Sequence, residues 1–206
     1  MLPGKKILAC GSHPDDLEFG VFGTLLRVTR ESSAKVFCYV GSVGGIGDQT
    51  SGPQRKEESG KVLGMLNNNV VFWNDRIGLG DYPEIVKEID YLVDTFSIDL
   101  ILSPSIHDTH QDHRMLSEVC VTALRRHRAS ILFYQLPSTT QKFKPQIYVD
   151  ISKYYQTKKQ FLRDHLSQKD KQYMTDEYLE IFNSDSHAFL RGFRYVEKFD
   201  VGRCFI

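Results

Sequence analysis

Two short stretches of the chain concentrate side chains that bind cations and move protons. The first, His13-Pro14-Asp15-Asp16, places an imidazole and two adjacent carboxylates directly after the apolar run Leu8-Ala9-Cys10. The second runs from His107 to His113 and holds three of the chain's seven histidines, with Asp108 and Asp112 among them. Neutral imidazole and carboxylate are zinc ligands, and catalytic zinc sites use three protein ligands and keep one position open. Neighbouring carboxylates repel, and a divalent cation offsets that repulsion. Consecutive residues project in different directions, so one of the two aspartates is expected to ligate while the other faces a water at the metal. A lone aspartate here is equally well explained as a helix N-cap. The whole cluster is not, and Pro14 stiffens it by fixing its own φ and biasing His13 toward extended backbone.

Elements that must position these residues follow from the pattern. Runs rich in Val, Ile, Phe and Tyr at 5–10, 35–40, 69–73, 99–103, 131–136 and 146–150 read as strands. Between them, Leu17, Val21, Leu25 and Val28 space as one helical face. So do Ile85, Ile89, Leu92 and Phe96, and Leu116, Cys120, Ala123 and Leu124. Strand alternating with helix predicts an α/β fold, a Rossmann-like, doubly wound and mostly parallel sheet flanked by helices. Beyond residue 150 the pattern turns to Tyr- and Lys-rich helices at about 151–165 and 172–190. These read as a C-terminal helical flank or cap on one domain spanning 1–206, with 1–150 as its core. In the strand order 3-2-1-4-5, strands one and four are neighbours at the switch point where ligands bind. The first cluster follows strand one and the second follows strand four, so they should meet in space.

Several functions are disfavoured. The first βα turn lacks G-x-G-x-x-G and carries anionic groups where a pyrophosphate would sit, which argues against a dinucleotide. Lys+Arg and Asp+Glu balance at 26 each, without the basic excess of a nucleic-acid binder. No apolar run approaches a membrane span or a signal-peptide core. Four scattered cysteines without a CxxC fit reduced thiols, so the expected compartment is the cytoplasm.

HPDDLEFG followed by HDTHQDH resembles the LmbE/PIG-L family of zinc-dependent N-deacetylases, which remove acetyl groups from N-acetylglucosamine-type sugars and their conjugates. Arg55-x-x-Glu58 running to Leu63-Gly64, and Arg191-Gly192 with Tyr195, Glu197 and Phe199, extend the likeness over nearly the whole chain. The resemblance implies His13, Asp16 and His113 as ligands of one Zn2+ per subunit, other divalent metals being admissible. It implies Asp15 as general base, and His110, protonated and supported by Asp112, as the group facing the developing oxyanion. Arg55 and Tyr195 are then substrate-binding candidates, Tyr195 and Glu197 closing the site from the C-terminal side. The partner implied is a small N-acetylated sugar or sugar conjugate, and homo-oligomers occur among similar proteins. Ser12 and the Gly-rich loop at 42–51 depart from the family's pattern, and that loop and the C-terminal helices are expected to contact the substrate.

Two rival readings use the same residues. Two histidines and a carboxylate also describe a non-haem Fe(II) enzyme, and a metal-stabilised sugar-binding module needs no base. Among the remaining candidates, Glu18 is either a support for the metal set or a favourable first-turn charge. His107 and Asp108 read as loop-shaping, His127, His165 and His187 as structural or solvated, and Tyr154, Tyr155 and Phe161 as core.

Overall fold

The computed structural model describes residues 5–44, 52–67 and 69–205. Seven strands form one sheet: β1 (Lys6–Gly11), β2 (Lys35–Val40), β3 (Asn69–Trp73), β4 (Leu100–Pro104), β5 (Ser130–Tyr134), β6 (Ile147–Asp150) and β7 (Val196–Arg203). Their order is β3-β2-β1-β4-β5-β7-β6. The first five are parallel, and β7 runs antiparallel between β5 and β6. The sheet is thus the expected doubly wound one, with β1 and β4 adjacent and Leu8 opposite Ile101.

Period-two alternation sorts the side chains of β1 to two faces. Ile7 and Ala9 join one apolar layer with Leu17, Phe22, Leu25 and Leu63; Leu8 and Cys10 join the other with Ile85, Ile89, Leu116 and Cys120. The first layer is covered by α1 (Asp16–Gly20), α2 (Phe22–Glu31), α3 (Gly52–Leu63), α6 (Tyr155–Arg163) and α7 (Asp176–Asn183). The second is covered by α4 (Tyr82–Phe96) and α5 (Gln111–Ala123). A short α8 (Ser186–Phe189) precedes β7. The C-terminal segment is therefore largely helical up to residue 189, and then returns a strand that inserts between β5 and the edge strand β6.

Two features differ from the sequence pattern. The face Leu17-Val21-Leu25-Val28 is shared by two helices, broken at Val21 (φ −138°, ψ 3°). Gly20 sits at this break because a Cβ there would overlap the Tyr134 ring, whose hydroxyl donates to the Cys10 carbonyl at 2.7 Å. Strand β7 is hidden in the sequence because its buried side includes a charge. Glu197 accepts hydrogen bonds from the backbone N–H groups of Gly23 and Thr24 at 2.9 and 2.7 Å and from Lys158 Nζ at 2.7 Å. A charge at a buried position breaks the apolar alternation by which strands are found.

Candidate active site

Beyond the carboxyl ends of β1 and β4, the two histidine–aspartate clusters meet. In the turn after β1, Oδ2 of Asp16 accepts from the backbone N–H of Ser12 at 2.8 Å and of His13 at 3.0 Å. Its other oxygen, Oδ1, lies 3.3 Å from Nε2 of His113, and Oδ2 lies 3.7 Å from Nδ1 of His13. Burial raises the pKa of the Asp16 carboxyl, but the charges of His113 and His13 and these hydrogen bonds outweigh it and hold the group well below the carboxylate range. Asp16 is a fixed anion.

Asp15 occupies the N-cap position of α1 yet its side chain caps nothing. Its backbone has φ 111°, a strained value outside glycine, and strain of this kind gathers at functional sites. The carboxylate turns away from the helix to Arg55, whose Nη2 donates to Oδ1 at 3.3 Å and to the Pro14 carbonyl at 3.1 Å. Burial pushes the Asp15 pKa up to about 6, against the pull of Arg55 and with the help of Asp16's charge.

Each candidate histidine ligand has a carboxylate behind it. His13 Nε2 lies 3.0 Å from Oδ2 of Asp112, leaving Nδ1 toward Asp16. His113 Nδ1 lies 3.2 Å from Oδ1 of Asp108, leaving Nε2 toward Asp16. That Nε2 is buried and has no hydrogen-bond partner among the described residues. Burial lowers the His113 pKa, but the neighbouring carboxylates of Asp16 and Asp108 carry it up to about 10. A histidine fixed by a carboxylate on one nitrogen, with the other nitrogen bare beside an anion, is the arrangement of a metal ligand and its supporting partner. The residues present fit a divalent cation.

His110 N-caps α5, its Nδ1 accepting from the Asp112 N–H at 3.2 Å. Its ring stacks on His113 with centroids 4.6 Å apart and meets His13 edge-on at 4.7 Å. One ligand atom from each of His13, His110 and His113 lies within 4.8 Å of the others. His110 is therefore a fourth group at the same point, alongside Asp16. Burial and the charges of His113 and His13 lower its pKa, favouring neutral imidazole. Because a backbone N–H occupies Nδ1, the neutral ring carries its proton on Nε2.

A cavity of about 440 Å³ opens over this cluster, lined also by Arg55, Phe19, Leu136, Pro137 and Ser138. A separate strap, residues 165–173, adds Gln168, Lys171 and Tyr173 to its wall.

Of the residues singled out in the sequence, His13, Asp15, Asp16, Arg55, His110 and His113 line one cavity. Three differ from expectation. The Asp112 carboxylate supports His13, and only its backbone N–H reaches His110. Tyr195 stacks on Tyr155 at 3.7 Å in a separate apolar cluster with Ile151 and is not among the residues lining the cavity. Glu197, likewise, is held in the Lys158 pair. Of the Gly-rich 42–51 loop, residues 45–51 lie outside the described residues. Asp108, read as loop-shaping, is the carboxylate behind His113 as well as the acceptor for the His110 N–H at 2.7 Å. Ser138 and the strap had no local signal, since they come from connections far along the chain.

Residues 8–124, from β1 through α5 and including both clusters, match the family model described as PIG-L, GlcNAc-PI de-N-acetylase. The chain belongs to the PIG-L family. A relative in Escherichia coli K12, named as the uncharacterized deacetylase YaiS, is 30% identical over 79% of this chain and 91% of its own length. Diacetylchitobiose deacetylase of Thermococcus kodakarensis is 26% identical over 93% of this chain and 83% of its own. The fold is also that of the N,N'-diacetylchitobiose deacetylase from Pyrococcus horikoshii (TM-score 0.78, 20% identity, 98% of this chain and 85% of the other). PIG-L membership makes the chain a hydrolase of the deacetylase class. The matched segment ends before β5, so the strap and the wall around Ser138 lie outside the family model.

Proposed function

We propose that the protein is a zinc-dependent hydrolase that removes the N-acetyl group of a GlcNAc-type amino sugar or sugar conjugate. The observation that carries this reading is the convergence of His13, Asp16 and His113, each histidine backed by a carboxylate, beside an Asp15 that does no capping. These three residues would hold the metal. A bound zinc would supply Lewis acidity, polarising the amide carbonyl and lowering the pKa of water.

The chain's own groups divide the remaining work. Arg55 fixes Asp15 through Oδ1, so the proton of the attacking water is taken at Oδ2 and returned from there to the departing amine. His110 donates from Nε2–H to the negative charge developing on the carbonyl oxygen. A neutral donor suffices for this, so the protonated form is not required. The apolar wall of Phe19, Leu136 and Tyr173 takes the body of the sugar and keeps solvent from the amide.

No helix among the described residues is long and apolar enough to cross a membrane, and all four cysteines are free. Free thiols, three of them buried, suit a reducing compartment, and the proposed setting is the cytoplasm with a small N-acetylated substrate. The test is acetate release from a panel of N-acetylated sugars, covering free sugars, disaccharides, nucleotide sugars and glycolipid head groups, with zinc added to metal-free protein. Release from at least one amino sugar is expected. Silence across the panel overturns the reading, and activity with Fe(II) but not zinc overturns the choice of metal.

A further inference from the structure

Three buried polar residues behind the cavity are not used by the mechanism above. Glu18, on α1, is 1% exposed, Ser59, on α3, is fully buried, and His165, at the start of the strap, is 1% exposed. The Ser59 hydroxyl donates to Glu18 Oε1, and His165 Nε2 lies 3.5 Å from that same oxygen. Neither ring nitrogen of His165 makes a hydrogen bond among the described residues. Buried polar groups are ordinarily hydrogen-bonded, and the polar contact that His165 makes is with the Glu18 carboxylate.

The geometry shows what the placement serves. On α3, Arg55 and Ser59 are four residues apart and share a face. Opposite them, Asp15 and Glu18 are three residues apart on the turn and α1. Two links therefore run in register between the segments, Arg55 to Asp15 and Ser59 to Glu18. The second sets the first: if α3 slides or rotates on α1, Arg55 leaves Asp15. Glu58, next to Ser59, accepts from the N–H and hydroxyl of Ser167, tying the strap to the same face of α3.

We propose that His165 is a positioning residue for the hydrolysis: as the buried partner of Glu18 it locks α1, α3 and the strap together, and so holds Arg55 on Asp15. A carboxylate buried without a counter-charge is strongly destabilising, and the like charge of Asp15 acts on the same group. Without His165, Glu18 is driven out of its contact with Ser59, and the register is lost. This inference rests on the deacetylase reading only for its kinetic arm.

The experiment compares His165→Gln, Glu18→Gln and the double variant in acetate release and in amide hydrogen exchange of residues 52–63. His165→Gln is expected to lower kcat by about 100-fold with KM little changed, the cost of a misplaced catalytic group. It should also speed exchange in α3 ahead of the rest of the molecule. In the double variant a neutral pair replaces the ionic one, so it should recover about tenfold of the lost kcat and much of the protection, a non-additivity that packing alone does not give. Unchanged kcat in His165→Gln, a loss confined to KM, or additive losses in the double variant each overturn the proposal. If His165→Gln alone does not fold, folding restored by Glu18→Gln supports it, and failure of both variants overturns it. If the wild type releases no acetate from any sugar, the deacetylase reading fails while the exchange pattern still decides this one.

Discussion

The carboxylate of Asp112 lies 3.0 Å from Nε2 of His13, joining the turn after β1 to the first turn of α5 across 99 residues of chain. Asp108 makes the equivalent contact with His113 from within its own loop. The two supports fix the ring orientations that direct His13 Nδ1 and His113 Nε2 toward Asp16. Asp112→Ala and Asp108→Ala should each weaken binding of the proposed zinc by about 10- to 100-fold while leaving the fold intact. Competition with a chromogenic chelator measures this. Unchanged affinity in both variants would show that the carboxylates only shape the loops.

The split between the adjacent aspartates gives a second expectation. Asp16 is engaged with both histidines, whereas Asp15 faces Arg55. Asp15→Ala should therefore keep its metal and lose kcat by about 10²- to 10⁴-fold, the range for a general base. His13→Ala and His113→Ala should lose the metal itself. Metal content by elemental analysis, set beside acetate release, separates the roles; equal metal loss in all three variants contradicts the division.

His110 is held as a neutral donor by the Asp112 N–H on its Nδ1. His110→Ala should lower kcat by about 10²- to 10³-fold, as loss of one oxyanion donor does, with KM near wild type. A change in KM alone would make it a binding residue. Loss of metal along with activity would instead place it among the ligands, which its approach to His13 and His113 permits.

What the sequence made legible, and what it hid, follows from the range of the interactions. Strands β1 to β6 are short apolar runs, and each lies within a residue or two of its expected place. The meeting of His13 with His113 needed only the order of those strands. The pairing of Asp112 with His110 that the resemblance implies holds only for its backbone N–H, because the start of α5 turns the Asp112 side chain across to His13 in the turn after β1. The contact of His165 with Glu18 has no local signal in the sequence, since the two meet only once α6 folds back over α1. β7 was missed because Glu197 looks like a surface charge until Lys158 is placed against it.

The Lys158–Glu197 pair is buried with Asn183 Oδ1 at 2.9 Å from Lys158 Nζ. Burial lowers the pKa of Lys158, with Glu197 opposing the shift. Lys158→Met leaves the Glu197 carboxylate unpaired in the core and should cost about 3–5 kcal/mol. A hydrophobic double replacement, Lys158→Met with Glu197→Leu, removes both charges but also strips the N–H groups of Gly23 and Thr24 of their acceptor. It should therefore remain below wild type in urea melts, by about 1–3 kcal/mol for each unsatisfied group. A double variant as stable as wild type would show that Glu197 is not needed as the cap of α2.

The pH dependence of stability tests His165 separately from catalysis. Burial lowers its pKa, but Glu18 on α1, Asp15 in the turn and Glu58 on α3 together outweigh that and raise it. A histidine whose folded pKa lies above its unfolded value, about 6.5, stabilises the protein fully below that value. That contribution is lost as pH rises through the folded pKa. Wild type should therefore exceed His165→Gln in Tm by more at pH 5.5 than at pH 9. Thermal melts in a chelating buffer, which keeps metal binding out of the comparison, supply the measurement. A gap that is the same at both pH values would mean that His165 is held neutral, and a gap that widens with pH would mean that its pKa is lowered by burial.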